Sequence, residues 1–309
     1  MKIGVLGNPE GWYVRDLRRA SRGEQIEVLS FASLSVALRP TGINVQAMVA
    51  PSGAEHFQAN RGQDVSLNRR ADGYDALLVR TMPWGSLEQI IFRMNALHAL
   101  ERQGQRIFNP PRCLEIAIDK WLTLEFLQHG GMEVPSTIAC QTRQQALEAF
   151  ELLGRNCVVK PLFGGEGNGL MHVTDIDLAW RVFGAIEQIG GVFYLQEFLE
   201  HHGYDLRLLV IGDDIFAVKR YARGDWRTNV SQGGEAVPHE PSAKEMELAK
   251  RAAHMLGGAF LGVDLVPTRD GRLLLLEANA VPGWRGTAAA LQVDIARRVI
   301  DHLVSQVQG

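Results

Sequence analysis

Residues 262–286 carry the side chains with the clearest chemical potential. Two apolar runs flank the dipeptide Asp270-Gly271, which favours a two-residue type I′ hairpin turn. Counting outward from such a turn sets Asp264 opposite Glu277 on paired strands. Asn279 shares their face because side chains alternate along a strand. Two facing carboxylates repel each other unless a cation lies between them, so this spacing predicts a bound cation.

The donor atoms of this predicted hairpin suit a hard metal ion. Carboxylate and amide oxygens favour such ions, and sparse ligation that leaves room for phosphates favours Mg²⁺. A solvated hairpin face is the alternative reading, although the run LLLLEAN is too apolar for an exposed strand. We therefore predict a site for a nucleotide–magnesium complex, with Asp264, Glu277 and Asn279 at the metal.

The composition narrows the class of protein. A chain of 309 residues, 46% hydrophobic and 22% charged, can bury a sizeable core and is long enough for about two domains or more. Its net charge of −3 gives no reason to expect nucleic acid or an anionic membrane as a partner. Three scattered cysteines favour reduced core residues, and no apolar run approaches the ~20 residues that span a bilayer. We expect a cytoplasmic protein whose first residues form a strand rather than a secretory signal.

Residues 1–108 alternate between strand and helix patterns, which predicts a mostly parallel α/β sheet. The predicted strands are 3–6, 25–31, 43–49, 74–79 and 106–108. The pair Ser86 and Gln89 has the spacing of a capping box at the start of a helix. The first glycines lack the G-x-G-x-x-G spacing of a dinucleotide site. We therefore expect residues 1–108 to act as a structural scaffold. The prolines at 110 and 111 mark the first domain boundary.

A glycine-rich loop follows a predicted strand over residues 157–161. That strand ends near Lys160, and four glycines between 164 and 169 free the backbone to bend closely around a ligand. Their amide groups could form an anion-binding nest over phosphates. A flexible hairpin turn is the alternative, and the Walker pattern is absent. Lys160 and Lys120 favour the phosphate interpretation, because both cations precede the loop.

A second predicted hairpin, turning at residues 212–214, collects charges on one face. A two-residue turn at either register puts Arg220 on the face of Asp205 and Arg207. Two guanidiniums beside one carboxylate suit phosphates or a substrate carboxylate, whereas a surface charge ladder is the alternative. The strand over 193–199 could supply a wall of an adenine pocket. The amphipathic pattern of residues 287–307 predicts one long helix.

The order of these motifs resembles the ATP-grasp superfamily and, within it, the RimK-type glutamate ligases. The motifs that carry the resemblance are Asp119-Lys120, Val158-Val159-Lys160-Pro161, the loop 164–169, Gln196-Glu197-Phe198, Asp205-Leu206-Arg207, Lys219-Arg220, Arg227-Thr228-Asn229, Val263-Asp264 and Glu277-Ala278-Asn279-Ala280-x-Pro282-Gly283. The resemblance is strong over residues 105–300 and weaker before them. It implies an α/β fold with α+β subdomains: a pre-ATP-grasp domain over 1–108, and two subdomains, 109–192 and 193–309, that clamp ATP.

The resemblance also implies roles for individual residues. Lys120 and Lys160 would hold ATP phosphates under a lid formed by Gly164, Gly165, Glu166 and Gly167. The nucleotide would further contact Gln196, Glu197, Phe198, Leu199, Asp205, Arg227, Thr228 and Asn229, with Asp205 at the ribose. Catalysis at the γ-phosphate and acyl group would fall to Arg207, Arg220, Arg227 and Asn229. Asp264, Glu277 and Asn279 would ligate two Mg²⁺ ions, for which Mn²⁺ could substitute.

The chemistry implied by the resemblance is ligation of a carboxylate to an amine through an acylphosphate. The amine would come from L-glutamate, and the acceptor would be a small-molecule carboxylate or a glutamyl chain. Another amino acid or a protein C-terminus is an open alternative, and so is a regulatory module that binds ATP without turnover. The metal residues and the row of cations favour the enzyme. We also expect a homo-oligomer.

The sequence departs from the family pattern after the metal residues. Members that modify a ribosomal protein look like P-G-L-E-G there, whereas this chain has Trp284 and Arg285 before Gly286. The change looks more like members that act on pterin-type one-carbon cofactors. The substrate candidates are Trp12, Lys219, Arg220, Trp284 and Arg285. For Trp284, a packing role is the alternative.

Overall fold

The fold is given by a computed structural model that describes residues 1–40, 42–49, 68–71, 73–164, 167–224, 226–228 and 234–308. Three of the predicted site residues, Gly165, Glu166 and Asn229, lie outside these ranges. All statements below concern the described residues.

The N-terminal part contains the predicted parallel sheet. Its elements are β1 (Lys2–Leu6), α1 (Trp12–Ala20), β2 (Gln25–Leu29), β3 (Ser35–Arg39), β4 (Gly42–Met48), β5 (Asn68–Arg70), β6 (Ala76–Val79), α2 (Leu87–Arg102) and β7 (Ile107–Phe108). The parallel strands lie in the order β2-β1-β6-β7. The predicted strand 43–49 forms as β4, but it pairs antiparallel with β3 and β5 in a separate sheet. Ser86 caps α2 with the predicted capping box.

The middle part is a sheet with two helices packed on it. Its elements are α3 (Pro111–Ile118), α4 (Lys120–His129), β8 (Thr137–Cys140), α5 (Arg143–Leu152), β9 (Cys157–Lys160), β10 (Met171–Val173), α6 (Ile176–Gln188) and β11 (Phe193–Glu197). The strand order is β10-β9-β11-β8, and neighbours run antiparallel. Phe150 of α5 and Phe183 of α6 fill a core of their own against this sheet.

The last part holds the two predicted hairpins in one antiparallel sheet. Its elements are β12 (Tyr204–Ile211), β13 (Asp214–Tyr221), β14 (Glu235–Pro238), α7 (Ala243–Leu256), β15 (Phe260–Pro267), β16 (Leu273–Asn279), α8 (Arg285–Leu291) and α9 (Ile295–Gln308). The strand order is β14-β13-β12-β15-β16. The prediction of one helix over 287–307 is wrong, because Gln292 has a positive φ of 55° and Asp294 accepts a hydrogen bond from Arg297 N at the start of α9.

The β15–β16 hairpin reaches the predicted pairing by a different route. Its turn is not a two-residue type I′ turn, because Thr268 N donates to Arg272 O (2.9 Å) across a three-residue loop in which Gly271 has φ 88°. This longer loop shifts the strand pairing by one residue relative to a two-residue turn. A β-bulge at Leu276 then shifts the pairing back by one residue. Asp264 therefore pairs with Glu277, as predicted.

Domain boundaries follow from which strands pair. β11 pairs with β8 and β9, so residues 193–197 belong to the middle sheet rather than to the last part. One hydrophobic core joins the first and last parts, since Leu77 of β6, Leu114 of α3 and Leu265 of β15 lie in the same buried cluster. We propose the predicted division into three units with the second one extended to Glu197. None of the helices in the described ranges combines the length and apolar character that a bilayer crossing requires.

Asn109 connects the first boundary to the sheet that carries the metal residues. Its buried side-chain amide donates to Phe260 O (2.5 Å) and Ala280 O (2.8 Å). Its oxygen accepts from Ala259 N and Phe260 N, both at 3.0 Å. One side chain thus satisfies backbone groups at the start of β15 and just after β16.

We predict that Asn109→Ala lowers the free energy of unfolding by about 2–4 kcal/mol, because it leaves buried backbone groups without partners. Asn95→Ala is the matched control, since Asn95 is exposed on α2. Urea denaturation measures both variants. Equal stability of the two variants would contradict this role of Asn109.

Candidate active site

A cleft between the middle sheet and the last sheet collects most of the predicted nucleotide and metal residues. Its empty volume, including the open mouth, is about 860 Å³. The predicted residues that line it are Lys120, Lys160, Gly164, Gly167, Gln196, Glu197, Phe198, Leu199, Asp205, Arg220, Arg227, Thr228, Asp264 and Glu277. Residues far apart in sequence therefore share one cleft.

Two lysines approach the cleft from the middle part. Lys120 is the first residue of α4, and its Nζ donates to Gly164 O (2.5 Å) in the glycine loop. Lys160 ends β9, and its Nζ donates to the buried Gln196 Oε1 (2.5 Å). Burial lowers the pKa of both amines, that of Lys160 to about 8, while the nearby Glu277 carboxylate acts in the opposite direction. Two desolvated ammonium groups beside a helix N-terminus are suited to bind phosphate oxygens.

An ion-pair network occupies the opposite wall, on β12, β13 and β15. The strand pairing puts Asp205 opposite Arg220 and Arg207 opposite Asp264, so all four side chains share one face. Arg220 donates to both oxygens of Asp205 (2.7 and 2.6 Å), and its Nη2 also lies 2.8 Å from Asp264 Oδ2. Thr228 Oγ1 adds a donor to Asp205 at 2.6 Å. Both oxygens of Asp205 therefore have protein partners, and its role at the ribose stays a prediction.

The predicted metal residues include a buried oxygen that makes no hydrogen bond with the described residues. Asp264 Oδ1 lies 2.6 Å from Arg207 Nε, but this oxygen and Arg207 Nη1 have no hydrogen bond within the described part of the chain. A cation at Asp264 and an anionic oxygen at Arg207 would satisfy both atoms. Glu277 faces Asp264, and Asn279 lies two residues further along the same face.

The donor set fits Mg²⁺ better than metals that need a protein cage. Two carboxylates and one amide oxygen are hard donors, and Mg²⁺ usually keeps water and phosphate ligands as well. Among the described residues, no group of three or more histidine, cysteine, aspartate or glutamate side chains could hold a metal by itself. The residues present therefore fit an ion that arrives together with phosphates.

Aromatic and aliphatic side chains line the other end of the cleft. Phe198 stacks on His172 with ring centres 3.9 Å apart, and Trp226 meets both rings edge-on. Leu199, Val266 and the bulge residue Leu276 lie together along the same wall. The sequence reading missed Trp226 and Leu276. The signal for Leu276 in the sequence was the apolar run before Glu277. Such a run does not show where a bulge interrupts the strand pairing.

The comparisons with known proteins agree with this geometry. Residues 117–303, more than half of the chain, match the RimK-like ATP-grasp domain. The chain is 32% identical to a probable alpha-L-glutamate ligase of Stenotrophomonas maltophilia, over 75% of this chain and 84% of that protein. It is 28% identical to the tetrahydromethanopterin:alpha-L-glutamate ligase of Methanosarcina acetivorans, over 98% of both chains.

The chain belongs to the RimK-like ATP-grasp family. A solved RimK domain ATP-grasp protein from Sphaerobacter thermophilus superposes with a TM-score of 0.70 at 21% identity, over 98% of this chain and 99% of that chain. The ATP-grasp ligase PsnB, solved with a minimal precursor, Mg and ADP, gives 0.70 at 20% identity, over 99% and 98%. These likenesses establish the ATP-grasp fold for the whole chain, and family membership makes it an ATP-dependent ligase.

The predicted substrate residues of this ATP-grasp ligase differ in their burial and surroundings. Trp284 is 0% exposed and its Nε1 donates to Asp16 (2.8 Å), which favours the packing role. Lys219 lies on the opposite face of β13 from Arg220, because neighbours alternate along a strand, and its Nζ lies over the ring of Tyr204. Arg285 is exposed, with its guanidinium 5.6 Å from the ring centre of Trp12.

We predict that ATP binds this ligase more weakly as the pH rises above 8. Burial lowers the pKa of free Lys160 to about 8. Bound phosphates favour the charged amine and raise that pKa, so binding takes up a proton once the free amine has lost it. Calorimetry in two buffers of different ionisation enthalpy, from about pH 7.5 to 9.5, measures this proton uptake. Lys160→Arg should reduce it, and an equal uptake in both proteins would contradict the assignment.

Proposed function

We propose that this ligase joins the α-amino group of L-glutamate to a carboxylate of a small-molecule acceptor, with ATP converted to ADP and phosphate. The observation that carries the proposal is the shared cleft, in which Lys120 and Lys160 face the Asp264–Glu277 pair and its arginines. The two relatives named above are an alpha-L-glutamate ligase and a probable alpha-L-glutamate ligase, which supports glutamate as the amino acid. A pterin-type acceptor is supported by the relative that aligns over the whole chain.

The proposed reaction has two bond-forming steps. In the first step, an acceptor carboxylate oxygen attacks the γ-phosphorus of ATP, the bond to ADP breaks, and an acylphosphate forms. In the second step, the glutamate nitrogen attacks the acyl carbon, phosphate leaves with its oxygen, and the nitrogen releases a proton. The chain needs no side-chain nucleophile for either step, since positioning and charge neutralisation supply the catalysis.

The residues of the cleft divide these tasks. Lys120 and Lys160 bind the phosphates from the side of the glycine loop. Mg²⁺ held by Asp264, Glu277 and Asn279 would neutralise phosphate oxygens and orient the γ-phosphoryl group. Arg207 and Arg220, which lie beside Asp264, would stabilise the charge that develops on the acyl side. Two metal ions, and replacement by Mn²⁺, are part of this proposal.

Incubation with ATP, Mg²⁺, L-glutamate and a panel of carboxylate acceptors tests the proposal. The panel includes reduced pterin and folate-type cofactors, their glutamylated forms and short glutamyl peptides. We expect ADP and phosphate release that requires both substrates, with a mass gain of one glutamyl residue in the product. Release of AMP and pyrophosphate would contradict the proposed mechanism.

We predict that Glu277→Ala lowers kcat on the order of 10²–10³-fold, because it removes a metal ligand opposite Asp264. Glu200→Ala is the matched control, since Glu200 is exposed outside the cleft. Steady-state kinetics and thermal unfolding of both variants give the comparison. Activity close to that of the control would refute the metal assignment.

We also predict that Arg285→Ala raises the KM of the acceptor by about tenfold and leaves the KM of ATP unchanged, because Arg285 is exposed beside Trp12 and away from the phosphates. Arg298→Ala, at an exposed position of α9, is the control. Equal changes in both KM values would show that Arg285 does not contact the acceptor.

We further infer a cytoplasmic location and a homo-oligomer. The three unpaired cysteines support the first inference. The exposed Leu87, Ile91 and Phe92 on α2 support the second one, because an apolar helix face of this kind favours a partner. Light scattering coupled to size-exclusion chromatography measures the mass in solution, and a monomeric mass would refute the second inference.

A further inference from the structure

Arg80 stands at the topological switch point of the parallel sheet. β1 is followed by β2 on one side and β6 is followed by β7 on the other, so the connections leave the neighbouring strands β1 and β6 in opposite directions. In open α/β sheets, ligands bind in the crevice at the carboxyl ends of the two strands that flank such a point. The pairing of Leu6 with Val79 puts Arg80 at that end, where its backbone N donates to Leu6 O (2.8 Å).

The side chain of Arg80 is a buried cation that forms no ion pair with the residues the structure describes. It is 5% exposed, and Nη2 donates to Pro282 O (2.8 Å). Its Nε and Nη1 are buried and have no hydrogen-bond partner within the described residues. The guanidinium lies over the rings of Tyr13 (4.8 Å) and Trp284 (4.5 Å), and burial lowers its pKa to about 10.

Burial alone does not leave an arginine with unpaired nitrogens, as Arg93 in the same part of the chain shows. Arg93 of α2 is also 5% exposed and also donates to a proline carbonyl, Pro83 O (2.7 Å). It leaves no buried nitrogen without a hydrogen bond. Each unsatisfied buried donor costs about 1–3 kcal/mol, so the two free N–H groups of Arg80 indicate a missing partner.

The position of Arg80 relative to the reaction identifies the kind of partner. Pro282 follows the metal strand β16, and its ring lies beside Gly262, against whose backbone the Arg207 guanidinium packs. Arg207 Nη1 is also buried without a hydrogen bond among the described residues. Pro282 therefore lies between two guanidiniums with free N–H donors, one at the metal site and one at the edge of the N-terminal sheet.

We propose that Arg80 binds a non-reacting carboxylate of one of the two substrates and thereby holds that substrate beside the metal site. The inference rests on the proposed function, which supplies substrates that carry more carboxylates than the one that reacts. A guanidinium suits a carboxylate, and each free N–H group of Arg80 can donate to one of its oxygens. The rings around it belong to Tyr13 of α1, Phe260 of β15 and Trp284 after β16, so the guanidinium lies where the first and last parts of the chain meet.

Steady-state kinetics of Arg80→Met and Arg80→Lys, with Arg93→Met as the matched control, tests the proposal. The KM of either the acceptor or L-glutamate should rise about 10- to 100-fold in Arg80→Met, while the KM of ATP stays within about twofold. Which KM changes identifies the substrate that carries the carboxylate. Arg80→Lys should recover part of the loss. Unchanged KM values, or an equal rise in the KM of ATP, would overturn the proposal.

A binding measurement on the wild-type chain separates this proposal from the proposed function. The ¹H–¹⁵N resonance of Arg80 Nε, assigned from the Arg80→Lys spectrum, is followed with Mg²⁺ and a non-hydrolysable ATP analogue present. L-glutamate, glutamyl-glutamate and the acceptor panel are then added separately. A shift with one of these compounds supports the carboxylate site even if no pair is ligated. A resonance that none of them moves would overturn it.

Discussion

The structure depends on how the charge of Asp264 is balanced. This carboxylate is 3% exposed, and burial of an isolated carboxylate costs far more than a domain can spare. Arg207 and Arg220 supply the partners at 2.6 and 2.8 Å, and Arg220 is in turn fixed by Asp205. Three neighbouring strands must therefore keep one register, since a slip of one residue would turn a charged side chain into the apolar core.

The same balance explains how the site can accept a metal and a nucleotide. In the proposed mechanism, Asp264 and Glu277 would hold a divalent cation, and Arg207 and Arg220 would then be available for anionic oxygens. Lys120 and Lys160 face this wall from the middle part of the chain. There, Lys120 Nζ donates a hydrogen bond to Gly164 O. ATP therefore supplies the negative charge that links two walls from different sheets, which is the physical meaning of a clamp.

The sequence predicted the facing carboxylates for a partly incorrect reason. The turn at Asp270 holds one residue more than the type I′ turn allows, and the bulge at Leu276 compensates for it, so the two deviations cancel at Asp264 and Glu277. The prediction that Asp205 and Arg220 share a face did not depend on the exact turn, because both registers of a two-residue turn put them on the same face. The capping box at Ser86 was predictable, since its spacing is local.

Features that depend on distant packing were not predictable. Trp284 looked like a substrate residue, but α1 and β15 cover it completely. The break at Gln292 follows from one residue with positive φ that the helical periodicity does not reveal. Arg80 has no distinctive neighbours in sequence, and only the pairing of β1 with β6 brings it to the switch point. The motifs thus predicted the chemistry shared by the family better than the residues that select the substrate.

Transfer of an oxygen atom tests the central claim most directly. In the proposed mechanism, one carboxylate oxygen of the acceptor attacks phosphorus and leaves with the released phosphate. With an acceptor whose carboxylate is labelled with ¹⁸O, ³¹P NMR should show one ¹⁸O atom in inorganic phosphate for each amide bond formed. Label in AMP, or unlabelled phosphate at full turnover, would contradict ligation through an acylphosphate.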